Sequence, residues 1–159
     1  MKTTRLFPLE FGRLLQNRLT WLMILLTVIS PAAGLFLYKP ATATTMLSLY
    51  LANPAIAGGV VGGILFGLLT IFELDRVSRS RADVLMDAAV SPLTMALVRL
   101  LALLAVAVVT VALTMLVWLP ISMHLIGSVF GGMDYVLAYL LLMGLALPLS
   151  ILAAAAAYQ

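Results

Sequence analysis

Four long apolar runs divide the chain, and polar residues cluster between them. The runs cover residues 19–38, 55–72, 91–119 and 135–157. Three of them are close to the length of about 20 residues that a helix needs to cross a hydrocarbon core ~30 Å thick, and the run 91–119 contains a charge-free stretch of that length from Leu100 to Leu119. The pattern therefore predicts four membrane spans. The second begins either at Ala55, after Asn53-Pro54, or further back in TTMLSLYLANP, where a short interfacial helix is the alternative.

Prolines and short polar residues mark the bends and starts of these runs. Ser30-Pro31 predicts a kink in the first span, which is tolerated where neighbours satisfy the freed carbonyl. Ser91-Pro92 is a typical N-cap followed by a first helical residue, so the third helix should begin before the membrane does. Arg99 then lies two turns in, where its side chain can reach the headgroups. Asp134 is the expected N-cap of the fourth helix.

Two shorter segments are apolar on one face only. In residues 7–18, Phe7, Phe11, Leu14 and Leu15 recur at helical spacing, which predicts an interfacial helix lying flat on the membrane before the first span. Residues 80–90 form the second segment. Its apolar face holds Ala82, Leu85, Met86, Ala89 and Val90, and its charged faces hold Arg81, Asp83 and Asp87. This mixed charge favours a protein partner over an anionic membrane surface, although an element resting on the headgroups is the alternative.

Composition fixes the class of protein. The chain is 64% hydrophobic and only 9% charged, with a mean hydropathy of +1.19. These values exclude a soluble domain. No cysteine is present, so there is neither a disulfide framework nor a thiolate metal site.

Basic residues predict the orientation of the spans. Eight of the nine lie before the first span, between the second and third, or at the start of the third; Lys39 is the exception. Short basic loops stay in the cytoplasm, so the N-terminus and the loop 73–92 are expected there. A secretory signal peptide is the competing interpretation of MKTTR and the apolar residues after it, but Glu10 and the continued hydrophobicity to Tyr38 favour a retained span.

The sequence predicts no enzyme. It has no glycine-rich phosphate loop with lysine, so ATP chemistry is not expected in this chain. His124 is the only histidine and has no companion ligands for a metal. No ionisable residue lies deep in a predicted span, which counts against a proton-coupled carrier or an intramembrane hydrolase. We therefore expect no catalytic residue, cofactor, metal or nucleic-acid partner.

Glycines form a smooth stripe on the second span. They lie within AGGVVGGILFG, residues 57–67, at Gly58, Gly59, Gly62, Gly63 and Gly67. Such a stripe lets helix backbones approach closely in lipid. Packing against another span of the same chain is the first interpretation; a dimer contact or a flexing point is the alternative.

Residues 72–102, FELDRVSRSRADVLMDAAVSPLTMALVRLLA, resemble the cytoplasmic loop of ABC-2 type transporter permeases. In that family an acidic and basic cluster leaves the second span, a coupling helix follows, and a turn leads into the third span. The cluster is matched by Glu73, Asp75 and Arg76, and the turn by Val90-Ser91. Ala89 stands where proline is common, and Arg79-Ser80 replaces a frequent Gly-Thr. The segment 7–18 is similar to the family's elbow helix.

The resemblance implies an all-α, polytopic transmembrane helix bundle with an N-terminal elbow helix and a cytoplasmic coupling helix. Its expected partners are a cytoplasmic ABC ATPase, a second permease copy or paralogue, and the lipid bilayer. The residues expected at the ATPase interface are Glu73, Asp75, Arg76, Arg79, Arg81, Asp83, Leu85, Met86, Asp87, Ala89, Val90 and Ser91. The family typically has six spans, so this chain is expected to be a fragment, or to be completed by another chain.

Three functions follow from these observations. An ATP-driven transporter, expected from the resemblance to be an exporter, is the first. A non-transporting membrane subunit that anchors a cytoplasmic protein is the second. A self-contained small carrier is the third, and it is disfavoured because the spans lack buried polar residues.

Overall fold

The computed structural model describes residues 3–36, 47–79, 92–126 and 131–158, and the regular structure within these ranges is entirely helical. The helices are α1 (Thr3–Gln16), α2 (Arg18–Ile29), α3 (Pro31–Phe36), α4 (Leu47–Arg79), α5 (Pro92–Ile126), α6 (Gly132–Ala138), a π-helical segment (Tyr139–Met143) and α7 (Gly144–Ala157). The predicted all-α class is therefore confirmed.

Four stretches of these helices are long and apolar enough to cross a membrane. They are span one (Arg18–Leu35), span two (Ala52–Arg76), span three (Leu93–His124) and span four (Gly132–Ala157). Large apolar side chains cover their outer surfaces; Leu116, for example, is 74% exposed. Such a surface is stable in lipid and not in water, so the chain is a multi-pass membrane protein.

The observed bounds differ from the expected ones at several points. Helix α5, for example, runs through Pro120 to Ile126, past the expected end of the third span at Leu119. Helix α4 begins at Leu47 and runs through Pro54 without a break, so it starts within TTMLSLYLANP, the earlier of the two starts considered, and its described residues 47–54 are continuous with span two. Asp134 is not the N-cap residue. Gly131 is the N-cap residue. Asp134 lies in the first turn of α6, and its Oδ2 accepts the Gly131 N–H at 2.9 Å. The predicted helix 80–90 lies outside the described residues.

The break in span one lies where Ser30-Pro31 predicts it. Helix α2 ends at Ile29 and α3 begins at Pro31. Proline has no N–H to give the Thr27 carbonyl, and the Ser30 hydroxyl donates to that carbonyl instead, at 2.7 Å. The Trp118 indole N–H donates to the neighbouring Val28 carbonyl from span three. The bend is thus held by its own serine and by a second span.

Span two packs closely on span four, and the glycine stripe makes this possible. A Cβ on Gly59 would lie 2.8 Å from the Leu142 carbonyl oxygen, too close for a real contact. A Cβ on Gly62 would meet Leu147 Cδ1 and Thr27 Cγ2, both at 2.8 Å. Only glycine fits at these two positions without a shift of the neighbours.

The stripe is less crowded along its remaining positions. A Cβ on Gly58 would lie 3.1 Å from the Met143 sulfur, which is flexible. At Gly63 the nearest atom would be 3.7 Å away, and at Gly67 it would be 3.9 Å away, both ordinary contacts. The stripe therefore packs within the chain, against span four and, at Gly58 and Gly62, also against span one.

Span four is not a uniform α-helix. Residues Tyr139–Met143 form a π-helical segment, and the Gly144 N–H donates to the Tyr139 carbonyl five residues back. This segment carries Leu142, whose carbonyl faces Gly59, and Met143, which is fully buried. A π segment widens one turn, and such segments often occur at functional sites.

Candidate functional site at the charged end of the bundle

Charged side chains meet at one end of the bundle, where α1, the end of span two and the start of span three come together. Glu73 lies at their centre and is only 5% exposed. A carboxylate loses its hydration when it is buried, so it is stable there only if cations or hydrogen-bond donors surround it. Its neighbours come from parts of the chain far away in sequence.

Asn17 joins Glu73 to the junction between α1 and span one. It is the N-cap of α2, with φ −79° and ψ 122°, and its Oδ1 accepts the Leu19 N–H at 3.0 Å. Its other side-chain atom, Nδ2, donates to Glu73 Oε1 at 2.8 Å. One side chain therefore caps the helix of span one and ties that cap to the end of span two.

Arg13 supplies the main counter-charge to Glu73. Its terminal nitrogen lies 2.8 Å from Glu73 Oε2, although the angles fall outside hydrogen-bond geometry. The contact is therefore an ion pair without a hydrogen bond. Arg76, one turn after Glu73 on the same helix, is 3.8 Å from Oε1, and its side chain is 59% exposed. Arg13 therefore contributes more than Arg76 to stabilising the buried carboxylate.

A second carboxylate extends the cluster to span three. Arg13 Nε donates to Glu10 Oε2 at 2.8 Å, one turn away on α1. Arg99 Nε lies 3.8 Å from Glu10 Oε1, and the Arg99 side chain is only 17% exposed. Arg99 therefore turns toward Glu10 of α1 rather than away from the bundle.

Arg99 can turn inward because α1 packs on the start of span three. Leu14 of α1 is almost completely buried, and Phe11 packs against the same core as Leu103 of span three. Part of the apolar face predicted to rest on the membrane is thus used against the bundle. Leu9, off that face, is 69% exposed and remains available to lipid.

The cluster leaves almost no free space. Its cavity is about 10 Å³ and is lined by Glu10, Arg13, Glu73 and Arg99 together with Leu14, Leu74 and Leu103. That volume holds about one water molecule. Three arginines and two glutamates form these ion pairs, so the five side chains together carry a net charge of +1. The cluster connects helices, and its cavity is too small for a ligand larger than water.

The cluster lies close in sequence to both ends of the charged loop. Helix α4 ends at Arg79 and α5 begins at Pro92, so residues 80–91 connect the two helices that the cluster holds. Glu73 lies less than two turns before that end of α4, and Arg99 lies two turns after the start of α5. The cluster therefore links α1 to both helices that flank this segment.

The residues expected at the ATPase interface fall into two groups. Glu73 faces into the cluster, Asp75 is half-buried and Arg76 is exposed. Arg79 is the last residue of α4. The others lie outside the described residues: Arg81, Asp83, Leu85, Met86, Asp87, Ala89, Val90 and Ser91.

The sequence does not predict that Glu10, Arg13 and Asn17 belong to this site. The i, i+3 spacing of Glu10 and Arg13 was a readable signal for their ion pair. The bond between Asn17 and Glu73 had no local signal, because 56 positions separate the two residues.

No site for a metal emerges in the described ranges, which contain no group of three His, Cys, Asp or Glu side chains placed to hold one. No protein-family model, curated protein or solved structure matches this chain.

Proposed function

We propose that this chain is the membrane-spanning permease subunit of an ATP-driven ABC-type transporter, acting as an exporter. In this proposal a separate cytoplasmic ATPase binds residues 80–91, within the loop 73–92, and its motion reaches the spans through that loop. The observation that carries the proposal is the charge cluster, because it joins α1 to both helices that flank the loop. The resemblance of residues 72–102 to the ABC-2 permease loop supports the same assignment.

The basic end of the bundle is the cytoplasmic end in this proposal. Arg13, Arg18 and Arg76 all lie at that end, and basic residues in short loops remain in the cytoplasm. The ATPase therefore meets the same end at which Glu73 is buried. ATP is hydrolysed on the partner, since this chain has no phosphate loop.

In this proposal the apolar residues of the loop and the charged residues of the cluster have different roles. Leu85 and Met86 bind the ATPase, and their burial contributes about 1.5 to 3 kcal/mol each. Glu73 and Arg13 instead carry the displacement from the loop to α1. The role of Glu73 is thus inside the bundle rather than on the surface that the ATPase contacts.

Leu85→Asp tests the docking step. It removes apolar burial and places an unpaired carboxylate where water is excluded, so co-purification of a nucleotide-binding partner should be lost while the spans still insert. Asp83→Asn, on the charged face, is the matched control and should weaken binding by ~1 kcal/mol or less. If Leu85→Asp leaves co-purification and the partner's ATP hydrolysis in proteoliposomes unchanged, the proposal is wrong.

Arg13→Gln tests the transmission step separately. The ATPase should still co-purify, because the docking residues are intact, but ATP-dependent substrate movement should fall. A membrane anchor for a cytoplasmic protein is the other candidate, and the same cluster would fix such an anchor rigidly. An anchor would keep its partner in wild type and show no ATP-dependent transport in either form.

A further inference from the structure

A cleft of about 240 Å³ lies between spans three and four. Its walls include Val111, Ala112 and Met115 from span three, and Leu140, Gly144 and Pro148 from span four. Each of these residues is apolar. Ala112 and Leu140 are exposed on the outer surface of the bundle, so the cleft opens sideways toward the surrounding lipid.

The cleft lies at the middle of both spans. Its walls come from residues 107–115 and 140–148, which are central in Leu93–His124 and in Gly132–Ala157. Nine helical residues extend over about 12 Å, whereas the hydrocarbon core is ~30 Å thick. The cleft therefore faces the distal halves of lipid tails, and the headgroups are out of its reach.

Its volume suits a hydrocarbon chain and not another helix. An apolar protein cavity of about 150 Å³ takes up benzene, so 240 Å³ has room for roughly ten carbons by the same proportion. A helix about 10 Å across occupies roughly 400 Å³ per turn, more than the whole cleft. A single tail fills it, and a fifth helix does not enter it.

The sequence keeps the cleft open. Three wall positions, Ala112, Gly144 and Pro148, have side chains that do not extend into the cleft as far as leucine would. A leucine at these positions would fill the space. A Cβ on Gly144 would find its nearest atoms, the Tyr139 oxygen and Leu140 Cδ2, only at 3.8 and 4.0 Å. The π-helical segment Tyr139–Met143 supplies Leu140 to the same wall.

We infer that this cleft is a binding site for the distal half of one acyl chain of a bilayer lipid. The inference is independent of the transporter proposal, because it depends only on the packing of two spans in the hydrocarbon core. It assigns span four a role besides its contact with the glycine stripe: one side packs on span two, and the other holds a lipid tail.

Photo-crosslinking in vesicles tests the site on the unchanged protein. The full chain is reconstituted in phosphatidylcholine with a trace of lipid that carries a diazirine on the distal half of one chain. We expect several-fold more label on the cleft residues than on Val109 and Leu141, which are exposed on the same spans at similar depth. A diazirine near the glycerol should not label the cleft. Equal labelling of cleft and control positions would mean ordinary boundary lipid and would overturn the inference.

Variants identify the occupant. Ala112→Phe fills the cleft and should abolish the excess label, and Val109→Phe is the matched control that should retain it. Gly144→Leu fills the same space from span four, so one misfolded variant does not decide the result. Because the chain has no native cysteine, Ala112→Cys reports a second copy: disulfide-linked dimers would assign the cleft to that copy and contradict the lipid site.

Discussion

Asn17 Nδ2 donates a 2.8 Å hydrogen bond to Glu73 Oε1, and this bond connects the start of span one to the end of span two. The same asparagine caps the helix of span one through its Oδ1. The junction after α1 is therefore fixed by a residue of another span. The angle at which α1 leaves the bundle depends on a carboxylate that is itself held by Arg13.

Glu73→Gln should destabilise the bundle, because Arg13 then loses its buried counter-charge. We expect a loss of roughly 1 to 3 kcal/mol, below the usual cost of breaking a fully buried pair because Arg13 is about one-third exposed. Unfolding in mixed detergent measures it. Arg13→Gln combined with Glu73→Gln should cost less than the sum of the two single changes. Arg18→Gln, at an exposed position, is the control; strict additivity of the first pair would show that the ion pair contributes nothing.

Substitutions of Asn17 distinguish the contribution of its hydrogen bond to Glu73 from that of its N-cap hydrogen bond. Asn17→Ser keeps an N-cap oxygen but loses the amide that reaches Glu73, whereas Asn17→Ala loses both. We expect Asn17→Ala to be the less stable by about 1 kcal/mol. Asn17→Asp keeps the cap but brings a second carboxylate next to Glu73, so like-charge repulsion should make it less stable than Asn17→Ser. Equal stability of these two variants would contradict the contact.

Two glycines of the stripe should respond differently to the same change. Gly59→Ala puts a methyl group 2.8 Å from the backbone oxygen of Leu142, and a backbone atom cannot move aside easily. We expect a cost of about 1 to 3 kcal/mol and a separation of spans two and four. Gly67→Ala meets nothing closer than 3.9 Å and should be nearly neutral. Cross-linking of cysteine pairs between the two spans reports the separation; equal behaviour of the two variants would refute this packing.

Trp118→Phe should loosen the bend in span one. The ring remains, but the donor to the Val28 carbonyl is lost, for a net cost of about 0.5 to 1.5 kcal/mol. Trp21→Phe is the control, because its indole N–H donates to Leu15 at an exposed position. Spin labels placed on α2 and α3 measure the distribution of distances across the bend. A broader distribution in Trp118→Phe alone is expected; no change, or the same change in both variants, would contradict this role.

The orientation can be tested with single cysteines. Ser80→Cys should be protected from a membrane-impermeant thiol reagent on intact cells, and Ser128→Cys should be labelled, because the basic loops are expected inside. Permeabilised cells provide the control, since both positions should then react. Labelling at 80 without labelling at 128 would reverse the orientation.

Local patterns in the sequence predicted the four spans and the packing of the glycine stripe within the chain, but not the contacts of the charged residues. Hydrophobic runs predict spans because the bilayer acts on each segment separately. The direction of Arg99 could not be read, since it depends on where α1 places Glu10. The same holds for Glu73: its charge suggested a surface role, and only the fold brings Arg13 and Asn17 to it. The sequence left two starts open for the second span, and the structure has the earlier one at Leu47, because Pro54 is tolerated inside a helix that neighbours support.

The π-helical segment also makes the length of span four critical. Each residue of an α-helix turns the chain by about 100°. The π-helical segment holds one residue more than an α-helical turn, so α7 keeps the orientation that it would have without that extra residue. Deleting one residue from 139–143 would restore a regular helix or rotate α7 by about that angle. Rotation would carry Leu147 away from Gly62. Insertions and deletions within span four are therefore changes of register, and they should be tolerated far less than substitutions at the same positions.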